Sequence, residues 1–328
     1  MRAMLCTDWG GPEGLALTDV PEPALDGDDA VRVAVRASGV NFADSLIIQG
    51  KYQIKPALPF SPGLEISGQV LETAPGVTRV QPGDRVLGMV DHGGFADQVV
   101  TQARNLYRIP DGMSFTDAAA FPVAYGTSHL GLTYKARLQP GETLVVHGAA
   151  GGVGLTAVEI GKRLGARVIA TAGGAAKLQV AAGAGADAVI DYREEDVRVR
   201  IKELTDGRGA DVVYDPVGGD LFTASLRSTA PGGRILLVGF ASGTVPQIPA
   251  NILLVKNITA IGYYWGAHRL FDLPAMDASF AELFAWYGAG DLRPHVSNIL
   301  PLERAAEAIG LLIARKATGK VVVDLTAS

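Results

Sequence analysis

Residues 147–154 read His-Gly-Ala-Ala-Gly-Gly-Val-Gly, and this run of small residues constrains the chain more than any other. It follows Thr143-Leu144-Val145-Val146, a short apolar stretch with the character of a buried strand. It precedes residues 155–164, whose apolar positions recur at helical spacing. Ala149-x-Gly151-x-x-Gly154 is therefore a relaxed glycine fingerprint set between a strand and a helix. Strand and helix then alternate. The pattern predicts strands at 167–172, 188–192, 211–214, 234–240 and 257–263, and helices at 175–182, 195–204 and 220–230. Repeated strand–helix units of ~30 residues imply a doubly wound parallel sheet.

The flanks read differently. Val31, Val33 and Val35 alternate with polar positions, as in a strand buried on one face. Gln81-Pro82-Gly83-Asp84 is a turn, and prolines and glycines punctuate the rest, so residues 1–122 form a β-rich unit. After 265 the alternation weakens. Helices are expected at 275–288 and 302–314, and Lys320-Val321-Val322-Val323-Asp324 reads as a strand that returns to the first unit. The expected organisation is α/β, with 1–122 and 266–328 as one domain around an inserted domain at 123–265.

A chain of 328 residues, 48% hydrophobic and 19% charged, has material for two cores. A net charge of -5 argues against an electrostatic grip on nucleic acid. One cysteine, Cys6, makes no internal disulfide. The first residues lack an apolar leader, and no apolar run approaches a membrane span. A soluble cytoplasmic protein with no membrane partner is expected.

The physics of the fingerprint points to a dinucleotide. Small residues allow a tight turn, close approach to a diphosphate and tight helix–strand packing. Ala150, Gly151, Gly152 and Val153 would bring backbone N–H groups and the helix N-terminus to it. A nicotinamide dinucleotide lacking a 2′-phosphate is usually held by a carboxylate about 20 residues on, at the end of the second strand. Here that strand ends Thr171-Ala172-Gly173-Gly174. Lys177 follows on the next helix and Tyr192 ends the next strand. Alone, these read more readily as a solvated lysine and a packing tyrosine. With the missing carboxylate they favour a 2′-phosphate at Gly173, and so NADPH.

Several further segments carry a resemblance. They are 39–44 (Gly-Val-Asn-Phe-Ala-Asp), Pro62-Gly63-Leu64-Glu65, 81–86, Ala149 to Gly154, 192–196 and Asp215-Pro216-Val217-Gly218-Gly219. In order along the whole chain they resemble the medium-chain dehydrogenase/reductase superfamily, in its zinc-free quinone oxidoreductase branch. The resemblance implies a GroES-like catalytic domain, a Rossmann domain for NADPH, and a homodimer paired through the strand near 257–263. The zinc dehydrogenases place a cysteine at the position of Asn41, a histidine at Leu64 and a third ligand near Val123 or Ala124. None of those residues here is a customary zinc ligand, so no metal is expected.

The same resemblance places Asn41, Tyr52 and Thr127 beside nicotinamide and substrate: Asn41 and Thr127 as cofactor contacts, Asn41 and Tyr52 as the catalytic candidates, with Asn41 donating to a ribose or to a substrate oxygen. Val217, Phe240 and Ala241 follow strand ends, where open α/β sheets bind ligands. Lys320 is matched to a phosphate contact. Tyr264 and Trp265 read either as substrate-cleft or as dimer-packing aromatics. Hydride transfer to a small quinone or an activated C=C bond is the expected reaction. Reduction of a 2-enoyl thioester, or NADPH binding without catalysis, stays open at this level.

Overall fold

The computed structural model describes residues 1–326. It divides into two units, Met1–Val123 with Arg293–Ser328, and Ala124–Leu292. The first unit opens with strands β1 (Arg2–Cys6), β2 (Leu15–Asp19) and β3 (Ala30–Val40), then helix α1 (Phe42–Ile47). Strands β4 (Glu65–Thr73), β5 (Arg85–Met89), β6 (Gln98–Gln102) and β7 (Leu106–Arg108) follow, then α2 (Phe115–Ala119). The chain passes through α3 (Pro122–Leu130) into the second unit.

There β8 (Thr143–Val146), α4 (Gly152–Arg163), β9 (Arg167–Ala172), α5 (Ala175–Gly183), β10 (Ala188–Asp191) and α6 (Val197–Leu204) alternate. They continue as β11 (Ala210–Asp215), α7 (Gly219–Ser228), β12 (Thr229–Leu237), α8 (Ala250–Lys256) and β13 (Thr259–Gly262). Helices α9 (His268–Phe271) and α10 (Leu273–Gly288) close it. The first unit is then completed by β14 (Val296–Pro301), α11 (Ala305–Ile313) and β15 (Lys320–Asp324).

In the second unit the six strands run parallel in the order β10-β9-β8-β11-β12-β13. The order reverses between β8 and β11, which puts a crevice outside their carboxyl ends. Val145, Ile169, Val213 and Ile235 are fully buried in this sheet, as expected of strands covered on both faces. The first unit is a mixed seven-stranded sheet in which β15 pairs with β3, Val321 opposite Val40 and Val323 opposite Ser38. Val31, Val33 and Val35 face its core while Arg36 is exposed, the alternation read from sequence.

The units meet the expected class but not the expected boundary. Residues 266–292 fold with the parallel sheet, not with the flanking unit. The cause is α10. His129 on α3 bonds Ser279 (2.8 Å) and Glu282 (3.1 Å), and Phe280 packs edge-on to Trp265. Strand β12 also starts at Thr229, earlier than the periodicity suggests, with a register irregularity between Ala210 and Val212 of β11.

Candidate active site

The glycine loop is built as its composition requires. Gly148 has φ +59, and Gly151 N–H turns back to Gly148 O at 2.9 Å. A Cβ on Gly154 would lie 2.2 Å from Gly148 O, so only glycine closes this turn onto α4. Ala149 and Ala150 are buried under the loop, whereas Gly151 is exposed and Gly152 and Val153 half-buried. The first-turn N–H groups of α4, which have no partner within a helix, lie in this exposed part.

Two buried networks fix the loop. Ser225 gives its hydroxyl hydrogen to Leu221 O (2.8 Å), so its oxygen accepts from His147 Nε2 (2.7 Å). His147 Nδ1 then accepts from Thr171 Oγ1 at 3.0 Å. Burial holds this histidine below its usual pKa, against the attraction of Asp215, and keeps it neutral for both bonds. On α3, Ser128 donates to Val153 O at 2.8 Å and meets Thr156 (2.8 Å) and Tyr214 (3.1 Å). Burial pushes the Tyr214 phenol well up, so it stays protonated as the donor to Ser128. Thr127 is buried beside this network, its carbonyl accepting from Tyr263 Oη at 3.1 Å.

Beyond β9, Asp191 Oδ2 accepts the Gly174 N–H (3.0 Å) and Oδ1 accepts the Arg193 N–H (3.0 Å). These bonds fold the turn after β10 back over Gly173. A Cβ at Gly173 would lie 2.6 Å from Arg193 Nε and 2.8 Å from Tyr192 Oη. The structure thus brings Tyr192 and Gly173 together, with half-buried Lys177 one turn into α5. Arg193 is the residue that sequence reasoning missed. It stands in a quoted motif, but its direction depends on the Asp191 turn.

On the other side of β8, a Cβ at Gly148 would be 3.2 Å from Val217 Cγ2. Asp215 Oδ1 holds Val217 N–H (2.8 Å) and Gly218 N–H (2.9 Å), and Ala241 N–H bonds Pro216 O at 3.1 Å. Val217 and Ala241 therefore flank the crevice at the switch point, next to Phe240, which is 38% exposed. Tyr264 is 39% exposed. Trp265 is buried against α3, its ring edge 2.3 Å from where a Gly126 Cβ would stand, so it acts as packing rather than as a substrate wall.

The first unit holds a separate polar cluster. Glu65 is fully buried, and Lys320 is 5% exposed. Lys320 Nζ donates to Glu65 Oε1 (2.6 Å), Asn41 Oδ1 (2.8 Å) and Val40 O (2.9 Å). Its three hydrogens are all spent inside the unit, so Lys320 is the counter-charge of Glu65 and not the phosphate contact expected of it. Asn41 Nδ2 donates to Glu65 Oε1 at 2.8 Å, and Val123 N–H donates to Glu65 Oε2 at 2.8 Å. Below them Asp44 is fully buried, accepting from Asn41 N–H (2.7 Å) and Gly63 N–H (3.2 Å). Burial pushes its carboxyl up to about 7, against those bonds and the pull of Lys320. Leu64 is buried and apolar, and Tyr52 is half-buried against the apolar core of this unit.

Comparison with known proteins fits both halves. Residues 27–111 match the alcohol dehydrogenase GroES-like domain, and 152–281 match the zinc-binding dehydrogenase family. The chain is 46% identical to the quinone oxidoreductase-like protein 2 homolog of Nematostella vectensis, over 98% of this chain and 88% of that one. The quinone oxidoreductase of Pseudomonas syringae pv. Tomato DC3000 superposes with TM-score 0.92 at 35% identity, covering 98% of this chain and 99% of that one. The Escherichia coli quinone oxidoreductase, solved in complex with NADPH, gives TM-score 0.92 at 32% identity over 99% and 100% of the two chains. The glycine loop over a parallel sheet and the GroES-like unit beside it in sequence thus have one explanation: the chain belongs to the medium-chain dehydrogenase/reductase superfamily, among its quinone oxidoreductase-like oxidoreductases.

Proposed function

We propose that the protein is an NADPH-dependent oxidoreductase that reduces quinones or other activated C=C bonds without zinc. The observation that carries the NADPH reading is the closure of Tyr192 and Arg193 over Gly173, at a strand end that lacks a carboxylate. A cationic guanidinium and a phenol suit a 2′-phosphate, and the Asp191 carboxylate at this turn is spent on the Gly174 and Arg193 N–H groups. Gly148, Gly151 and Gly154 leave a cradle that any Cβ would crowd, and the backbone N–H groups of Ala150 to Val153 would take the diphosphate. Thr127, Val217, Phe240 and Ala241 would border the nicotinamide, and Lys177 would add charge near the phosphate.

When bound, the nicotinamide supplies a hydride. Asn41 and Tyr52 donate hydrogen bonds to the acceptor oxygen as it gains negative charge, and Tyr52 also holds a proton for it. Tyr264 borders the substrate. Zinc independence is supported by the donor set. Asn41 already bonds Lys320 and Glu65, Leu64 offers no lone pair, and Val123 offers only a backbone N–H. A homodimer paired through β13 is supported by its place at the sheet edge and by Leu254 (75% exposed) and Val255 (74% exposed) on α8. Among the described residues no helix is long and apolar enough to cross a membrane, which accords with a cytoplasmic enzyme.

The test is NADPH oxidation with a benzoquinone, an orthoquinone, a simple enone and crotonyl-CoA, with NADH as control and a chelator present. Turnover of a quinone or the enone, faster with NADPH and indifferent to chelator, is the expected result. Turnover of crotonyl-CoA alone would replace it with the thioester reductase reading, and loss of activity with chelator would overturn zinc independence.

A further inference from the structure

The Asn41 carboxamide is held by charge on both sides. Lys320 donates to its oxygen and Glu65 accepts from its nitrogen, each at 2.8 Å. A carboxamide flip exchanges donor and acceptor with little change in shape. Here the flipped amide would set its NH2 against an ammonium and its oxygen against a carboxylate, so one orientation survives. In that orientation the second Nδ2 hydrogen has only Gly39 O at 3.4 Å, long for a hydrogen bond. It is the one donor of a half-buried side chain that remains open to a ligand.

Glu65 does not secure this geometry unaided. A fully buried carboxylate without a cation takes up a proton, and would then offer Asn41 a donor in place of an acceptor. The groups facing it are Lys320 on β15, Asn41 at the end of β3, the Val123 N–H, and Asp44 on α1. Lys320 is the only cation among these. We propose that Lys320 is a positioning residue of the active site: an internal cation that keeps Glu65 an acceptor and so fixes the Asn41 carboxamide with one N–H turned to the acceptor substrate. This rests on the reading of Asn41 as a substrate-facing donor.

The double variant Glu65→Gln/Lys320→Met removes both charges and leaves neither buried alone, so it still folds, at a lower melting temperature because one amide oxygen cannot serve both the Asn41 and the Val123 N–H donors. Its NADPH dissociation constant, read by fluorescence on the protein without acceptor, should stay within about threefold of wild type. Its kcat with a quinone should fall about tenfold or more. The single variant Lys320→Met leaves the Glu65 carboxyl buried without its cation, and its kcat should fall at least as far as that of the double variant. A double variant that keeps kcat within about twofold overturns the proposal. Asn41→Ala separates the two readings. If it lowers kcat while the double variant does not, the Lys320 proposal alone falls. If Asn41→Ala also retains wild-type kcat, the reading of Asn41 falls and takes the Lys320 proposal with it.

Discussion

Asp44 makes the stability of the first unit depend on pH in a direction unusual for a carboxylate. Its side chain is fully buried, and burial pushes its pKa from 3.8 up to about 7. Between those values the folded protein holds a proton that the unfolded chain has released. The associated stability is therefore complete below about pH 4 and is lost as pH rises through about 7. Linkage with these two pKa values gives a loss of about 2.5 kcal/mol between about pH 5 and 8. In Asp44→Asn that loss disappears. One amide oxygen cannot serve both N–H donors, Asn41 and Gly63, so the variant is less stable by about 1–3 kcal/mol at low pH. The gap between wild type and variant should then narrow by about 2.5 kcal/mol, or reverse, on going from about pH 5 to 8. Urea unfolding of both proteins across this range, followed for the transition of the first unit, measures it. Groups that titrate elsewhere cancel in the difference. A gap constant to within about 0.5 kcal/mol would refute the raised ionisation of Asp44.

Two substitutions probe the second unit. Arg193→Ala removes a guanidinium that stands over Gly173, and losing a charged hydrogen bond costs about 1.5–3 kcal/mol. NADPH affinity should drop about 10- to 150-fold while NADH affinity holds; equal losses for both coenzymes would show that Arg193 does not read the phosphate. Gly154→Ala puts a methyl group where 2.2 Å separates it from Gly148 O, so the loop must shift. Calorimetry should find NADPH binding weakened about tenfold or more, and unchanged binding would remove the glycine loop as the cradle.

The elements of the fold were legible because their signals are local. Val31, Val33 and Val35 announce a one-sided strand, and the structure buries all three. The glycine fingerprint announces β8, its turn and α4, and the structure places all three there. The end of the inserted domain was not legible. Residues 266–292 carry a helical pattern that fits either unit, and the contacts that assign them, His129 with Ser279 and Glu282, span about 150 positions. Arg193 was hidden for a nearer reason. Its backbone is turned by Asp191 two residues earlier, and turn geometry, not residue type, aims the guanidinium.

Lys320 shows what kind of signal was present and not used. Read alone, Lys320-Val321-Val322-Val323 is a strand with a charge at its tip, and a lysine at a strand end is ordinarily solvated. Its partner Glu65 lies 255 positions away, in the segment Gly63-Leu64-Glu65-Ile66. Lys320 begins a run of three valines and Glu65 stands between Leu64 and Ile66, and the fold buries these neighbours: Ile66, Val322 and Val323 fully, Val321 and Leu64 nearly so. A charge in such a run must be exposed at an end or paired inside. Two runs, each with one charge of opposite sign, in strands that both neighbour β3 in the sheet order, satisfy the second condition together. The pairing is thus a property of topology. Once β15 is known to return beside β3, with β4 on the other side, the lysine and the glutamate are brought to the end of β3 where Asn41 follows, and the phosphate reading of Lys320 loses its ground.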